Sequence, residues 1–277
     1  MKRGEGVDVR QIVVIARKEF SDRLRNRWVL AATAIFAAFS LAIAYFGAAQ
    51  HGVVGVRSLE VTIASLVSLA IYLVPLIALI LGFDAVVGER ERGSLDLLLS
   101  MPLTRTELLL GKYVGLSAAL TCSTAIGFGV AGVLLGSSLS LDVLYHYGGF
   151  VLSAVLLGLA FLSIALMVST FAMDRASASG AAVAVWFFLV LVYDLLLLGA
   201  LVVSGGQVGA NVFPYLLLLN PTDVFRILNI FGLEDVRTLY GLATVFPDRL
   251  AHPALLGAVM LAWILAPLAL ASWRFRK

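Results

Sequence analysis

The sequence predicts an all-α membrane protein: six transmembrane helices, an amphipathic helix before the first, and a short helix between the second and third. Three observations carry that prediction. Of 277 residues, 61% are hydrophobic and only 13% charged, with a mean hydropathy of +1.01; a soluble domain is about 45–50% apolar and about 25% charged. Apolar stretches recur at the length of ~20 residues that a helix needs to cross a ~30 Å hydrocarbon core. The charges collect in a few segments between those stretches, and none is polar enough to form a sizeable soluble domain. Residues 1–277 therefore read as a single transmembrane domain.

The first element runs from Val9 to Leu24. Val9, Ile12, Val13, Ala16, Phe20 and Leu24 recur at helical spacing, while Arg10, Arg17, Lys18, Arg23, Arg25 and Arg27 crowd the remaining surface. A basic amphipathic helix over 9–27 lies in the membrane interface; a plain positive flank to the first span would explain the arginines but not the apolar stripe. The N-terminus is charged for too long to be a signal-peptide n-region, and no small-residue cleavage site follows the first apolar run. The six expected spans are roughly 28–47, 61–87, 108–135, 148–171, 178–203 and 254–273. Lysine and arginine orient them. Eight lie in the N-terminal segment, four between 88 and 112, one at the turn after Asp174 and three at the C-terminus, against four (Arg57, Arg226, Arg237, Arg249) on the other side. Sixteen against four places both termini and the 88–107 loop in the cytoplasm.

That loop, Gly88-Glu89-Arg90-Glu91-Arg92-Gly93-Ser94-Leu95-Asp96-Leu97-Leu98-Leu99-Ser100-Met101-Pro102 and onward to Glu107, is the segment around which the chain is organised. Arg90 and Arg92 suit the negative end of a helix dipole, and Gly93 follows as a helix-ending glycine. Ser94 is placed to cap a short helix whose leucines are too many for a solvated loop. Pro102 ends it, because proline disfavours helix in the residue before it. Thr104-Arg105-Thr106-Glu107 then reads as a capping box, with Leu103 and Leu108 placed for a hydrophobic staple. A short leucine-faced helix held in a rigid bend is built to be gripped.

The third and fifth spans are rich in small residues, including Gly111, Gly115, Gly132, Gly136 and the run from Ala176 to Ala182, which let helices approach closely. Residues 204–253 form a long outer segment, unlike an ordinary connection. Within it Asn220-Pro221-Thr222-Asp223 opens a helix with Val224, Ile227, Leu228 and Phe231 on one face, Gly232 ends it, and 234–240 forms another short helix. Its charges Asp223, Arg226 and Arg237 would set the register of a partner outside the membrane; the competing reading is a lid lying on the spans. Asp194 is the one carboxylate firmly inside a span. Insertion scales set about 2.5–3.5 kcal/mol against a carboxylate at bilayer centre. It serves either an interhelical hydrogen bond beside Tyr193 or a pathway or dimer seam. Asp84, at the inner interface, reads as a partner for nearby arginines.

Several chemistries are absent. No GxxxxGK[ST] loop occurs, so the chain does not hydrolyse nucleotide itself; no GxSxG, HExxH or CxxC occurs either. The single Cys122 excludes a disulfide framework or a Cys-based metal site. His51, His146 and His252 are far apart in sequence and read as solvated loop residues, although Asp142 and His146 could share a helical face. No metal site is expected.

The run Glu89 to Arg105, with Glu107-Leu108 and Gly111-Lys112 behind it, resembles the cytoplasmic loop of ABC-2-type transporter permeases. The likeness extends along the chain through the amphipathic elbow helix, the six spans and the large outer segment before the sixth. It implies a permease that works as a homodimer or pseudo-dimer on cytoplasmic ABC ATPase subunits. ATP and Mg would be held by that ATPase and no cofactor by this chain. The Ser94–Ser100 helix would then be the coupling helix, with Glu89, Arg92, Ser94, Leu95, Leu97, Leu98 and Pro102 as the ATPase-coupling residues. More narrowly, residues 58–115 and Leu219 to Arg226 are similar to the permease subunit of nitrous oxide reductase maturation transporters. That likeness implies a role in assembling a copper–sulfur centre at the bacterial inner membrane. A periplasmic β-helical accessory protein, and a copper chaperone, would be partners besides membrane lipids; no nucleic acid is expected. Few methionines, one cysteine and scattered histidines argue against this chain as a copper path. The alternatives are an export permease for another small or lipid-like molecule, and a membrane enzyme using Asp194. The enzyme would need a second acid or histidine at matched depth, which the sequence lacks.

Overall fold

The computed structural model describes residues 8–25, 27–46, 59–136, 141–204, 212–230, 250 and 252–276. All regular elements among them are helical: α1 (Val9–Leu24), α2 (Arg27–Phe46), α3 (Leu59–Gly82), α4 (Val87–Glu91), α5 (Ser94–Ser100), α6 (Arg105–Gly136), α7 (Leu141–Phe171), α8 (Arg175–Phe187), a π-helical turn (Phe188–Val192), α9 (Tyr193–Val203), α10 (Phe213–Leu218), α11 (Pro221–Ile230) and α12 (Pro253–Arg276). Five stretches are long and apolar enough to cross a membrane: Ile63–Glu91, Arg105–Val133, Tyr145–Phe171, Arg175–Val203 and Pro253–Arg276. They match the second to sixth expected spans. The first expected span falls on α2, within which Thr33–Ile43 is apolar.

α7 is the centre of the bundle, packed against α3, α6, α11 and α12. Ala154, Leu157, Ala160, Phe161, Leu162, Ala165 and Leu166 are all fully buried along it, as expected of a helix that is apolar all round. Span five, made of α8, the π turn and α9, is the reverse: 17% of it is buried, against 61% for α7. Towards the outer end Phe36, Phe128, Phe150 and Phe225 fill the core, with ring centroids 5.0–6.3 Å apart along that chain of contacts. Phe225 belongs to α11, so the outer helix is part of the core.

α1 lies along the N-terminal part of α6, and two glycines set its distance. A Cβ at Gly111 would fall 2.6 Å from Ile15 Cβ, and one at Gly115 would fall 2.5 Å from the Ala16 carbonyl oxygen. The contact face of α1 is centred on Ile15, Ala16 and Glu19, so of the expected stripe Ala16 is buried, while Val9 and Val13 are 69% and 58% exposed. That leaves an apolar surface for the membrane interface beside a protein-facing one.

One end of the bundle gathers α1, α4, α5, the turn after α7 and the end of α12. Arg105 donates to the Phe275 carbonyl at 3.1 Å, and the Arg274 guanidinium sits 5.8 Å from the Phe171 ring centroid. These are the described segments on which the larger count of lysine and arginine rests.

Candidate functional site

The α4–α5 corner is built much as its sequence suggests. Gly93 adopts φ +68°, the one positive φ among the described residues, and turns the chain from α4 into α5. Gly93 itself occupies the N-cap position, and Ser94 is the first residue of α5. The expected Ser94 cap is therefore corrected: its hydroxyl instead donates back to the Glu89 carbonyl at 3.3 Å. After α5 the capping box forms as expected. The Thr104 N–H donates to Glu107 Oε2 at 2.7 Å, and Thr104 Oγ1 accepts from the Glu107 N–H at 3.2 Å. Glu107 Oε1 also accepts the Asp8 N–H at 2.6 Å, so one side chain starts α6 and pins the beginning of α1.

The seven expected coupling residues separate into three groups. Leu97 is 69% exposed, with Met101 one turn further on also exposed, and Arg92 and Pro102 face outward as well. Ser94 and Leu98 are half-buried. Leu95 and Glu89 are buried at 8%, and for these two a direct grip by a partner is corrected. Leu95 belongs to the hydrophobic core, and Glu89 points inward to a lysine.

That lysine is Lys112, 3% exposed, whose Nζ lies 2.9 Å from Glu19 Oε1 and 2.6 Å from Glu89 Oε1. It joins α1, α4 and α6 at one buried point. Burial raises the Glu19 carboxyl, but the Lys112 ammonium and its hydrogen bond, with Lys18 and Arg23, outweigh that and hold it below its ordinary value. Sequence reasoning missed this triad. The signal was a lysine within the opening turns of an apolar span, where an unpaired charge is costly, and a glutamate on the buried side of α1.

α4 has further anchors. Ser169 Oγ on α7 accepts the N–H groups of Val86 and Val87 at 3.0 and 3.1 Å, which supplies the missing partners at the start of this short helix. Arg90 donates to the Ala172 carbonyl at 3.0 Å. Asp84 pairs with Arg175 at 2.7 and 3.0 Å, as its position at the inner interface led one to expect. The Arg175 N–H donates to Glu91 Oε1 at 2.7 Å.

At the opposite end, Asp194 on α9 meets Arg226 at 2.9 Å, and Arg226 also holds Asp223 at 2.6 Å. Asn220 Nδ2 and Thr222 Oγ1 donate to the Leu189 carbonyl at 2.8 and 3.3 Å. The π turn leaves that carbonyl available, since its register departs from the α-helical ladder. Asp223 is 1% exposed. Burial chiefly, with the charge of Asp194 against that of Arg226, pushes its carboxyl up to about 7.

Two expectations are corrected here. Asp223 and Arg226 turn into the bundle instead of outward, because α11 lays Val224, Phe225 and Ile227 against the spans and carries both charges with them. A second acid does stand beside Asp194, but the same arginine holds both. Arg237 and residues 231–240 lie outside the described residues, as does His51. His252 and His146 are exposed. No group of three or more His, Cys, Asp or Glu residues placed to hold a metal ion occurs among the described residues.

An open groove of about 740 Å³ runs between α7, α8 and α12, lined by residues such as Met167, Val185, Phe188, Leu218, Trp263 and Pro267. Residues 13–277 match the model of the ABC-2 family transporter proteins. Two curated relatives carry the name probable ABC transporter permease protein NosY. The one from Stutzerimonas stutzeri is 46% identical over 271 residues, covering 96% of this chain and 98% of the relative. The one from Pseudomonas aeruginosa is 45% identical over 267 residues, covering 95% and 97%.

Proposed function

The chain belongs to the ABC-2 family of transporter proteins, and from that premise we propose that it transmits the work of a separate cytoplasmic ATPase to the outer face of a bacterial inner membrane, for assembly of the copper–sulfur centre of nitrous oxide reductase. It is an ABC transporter permease subunit, most like NosY. The observation that carries the coupling role is α5: a helix whose Leu97 is exposed while Leu95 is buried in the core and the neighbouring α4 is tied by Lys112 to α1 and α6. Burying one leucine fully in a partner groove is worth about 1.5–3 kcal/mol. Arg92, Ser94, Leu98 and Pro102 would complete that contact.

In this reading residues 1–277 form one transmembrane domain with both termini cytoplasmic. Residues 9–27 are the elbow, 88–107 the coupling loop and 204–253 the outer segment. A second copy packs against the poorly buried span five, where Leu195, Leu196, Leu198, Val202 and Val203 are exposed, and Asp194 lies beside that seam. ATP and Mg belong to the ATPase. A periplasmic β-helical protein, with a copper chaperone as a further partner, meets the outer segment beyond α11, where Arg237 lies.

The test is recovery of the complex. Tagged permease is expected to bring down an ABC ATPase, and Leu97→Asp to leave the permease in the membrane while ATPase binding or stimulation is lost. Normal assembly and stimulation in that variant would refute the coupling role. Cells lacking the permease should make nitrous oxide reductase without its copper–sulfur centre; a fully loaded reductase would refute the maturation role. A second reading, export of a lipid-like molecule, is favoured by the 740 Å³ groove alone, which is lined almost entirely by apolar side chains.

A further inference from the structure

We infer that Arg175 is a positioning residue of the coupling apparatus, tying the inner end of span five to α4 so that the span travels with α5. The inference rests on the reading of α5 as the element an ATPase moves. The guanidinium of Arg175 approaches both oxygens of Asp84: its Nη2 donates to Oδ2 at 3.0 Å, and its Nε lies 2.7 Å from Oδ1 as an ion-pair contact. Two more bonds close the same corner: the Arg175 N–H to Glu91 at 2.7 Å, and Arg90 to the Ala172 carbonyl at 3.0 Å. α4 is cut to receive the carboxylate, since a Cβ on Gly88 would fall 2.0 Å from Asp84 Oδ1.

Packing holds the span only lightly, through buried Ala178 and Ala182 on α8, which touches α3, α4 and α7. Only 17% of it is buried, and Ala176, Ser177, Ser179 and Gly180 after Arg175 are exposed. The polar clamp therefore sets where its inner end sits. Arg175 is 48% exposed, and a pair so open to water adds little stability, so its consequence is geometric. α4 leads directly through Gly93 into α5. At its outer end the same span grips α11 through Asp194, Arg226 and the Leu189 carbonyl. A displacement entering at α5 thus has a continuous polar linkage to the outer helix, by way of span five.

The experiment uses the permease–ATPase complex in lipid nanodiscs, with Cys122→Ser and a reporter cysteine at Tyr215→Cys, a position 59% exposed on α10 beside Leu216, whose carbonyl accepts the Tyr193 hydroxyl of span five. The labelling rate with an impermeant maleimide is measured with and without ATP and vanadate. The parent is expected to show about a fivefold or larger nucleotide-dependent change, the usual size of coupling between distant sites. Arg175→Ala, or Asp84→Asn should the first fail to insert, is expected to bring that ratio near one while ATPase binding and hydrolysis stay at parent level. The exchanged pair Asp84→Arg with Arg175→Asp is expected to restore it. A parent-level ratio in the single variants overturns the inference, as does a parent complex that binds and hydrolyses ATP with no labelling change. If no ATPase is recovered with the parent, the functional reading fails first and the inference with it.

Discussion

Replacing Lys112 with methionine removes the one cation between two buried carboxylates. Methionine keeps the length and much of the volume of the side chain, so the change isolates the charge. In the structure Nζ touches Glu19 Oε1 at 2.9 Å and Glu89 Oε1 at 2.6 Å, and Glu89 Oε2 has no hydrogen-bond partner among the described residues. Removing one partner of a buried ion pair costs about 3–5 kcal/mol, because the remaining charge is left uncompensated. At about 2–4 °C per kcal/mol for a chain of this size, that lowers Tm by roughly 6–20 °C. The assay is thermal unfolding of the purified protein in detergent, followed by tryptophan fluorescence. Adding Glu19→Gln and Glu89→Gln to Lys112→Met is expected to recover most of the loss, since neutral amides need no cation. A Lys112→Met protein melting within about 2 °C of the parent would show that the triad does not hold α1, α4 and α6 together, and would refute the reasoning.

Three further outcomes follow from the same geometry. Arg226→Ala strands the buried Asp223 and should destabilise by about 3 kcal/mol, whereas Asp194→Asn, at a position 30% exposed, should cost about 1 kcal/mol or less; the opposite order in Tm would contradict the arrangement. Gly115→Leu forces α1 off α6, because the first added carbon already lies 2.5 Å from the Ala16 carbonyl, and should speed tryptic cleavage at Arg17 and Arg23 without removing the protein from the membrane. Glu19, held below its ordinary value of 4.5, contributes stability that is present above that value and lost as pH falls through the lowered one. Acidification should therefore release α1, and Glu19→Gln should flatten that dependence; an unchanged pH profile in the variant would place the acid transition elsewhere.

Local grammar made the α4–α5 corner legible. The Gly93 turn and the Thr104–Glu107 capping box are decided by residues within four positions of each other, and both form. So does the close approach at Gly111 and Gly115, since small residues in a span announce that something comes near, though not that α1 is what arrives. The clusters were harder to read because their members are distant in sequence. Lys112 finds Glu19 from 93 residues away, Arg175 finds Asp84 from 91, and Arg226 finds Asp194 from 32. Each was visible only as a charge needing a partner. The π turn at Phe188–Val192 had no sequence signal: no glycine or proline marks it, and its consequence, a carbonyl open to Asn220 and Thr222, appears only once α11 is in place.

The outer helix shows where periodicity stops being informative. Val224, Ile227 and Leu228 at helical spacing establish that one face of α11 avoids water, and that much is correct. Periodicity does not say what covers the face, and an extended outer segment next to short loops makes an outside partner the natural candidate. The spans cover it instead. Phe225, outside the expected stripe, is fully buried and packs 6.3 Å from Phe150, while Asn229 bonds Ser153 at 2.9 Å on the same helix. A helix used in this way must bring its polar side chains inward with the apolar ones. Asp223 and Arg226 are then compelled to neutralise each other and Asp194 inside the protein. Buried charge on α11 is thus a consequence of its packing on the spans, which engages Asp223 and Arg226 inside the bundle.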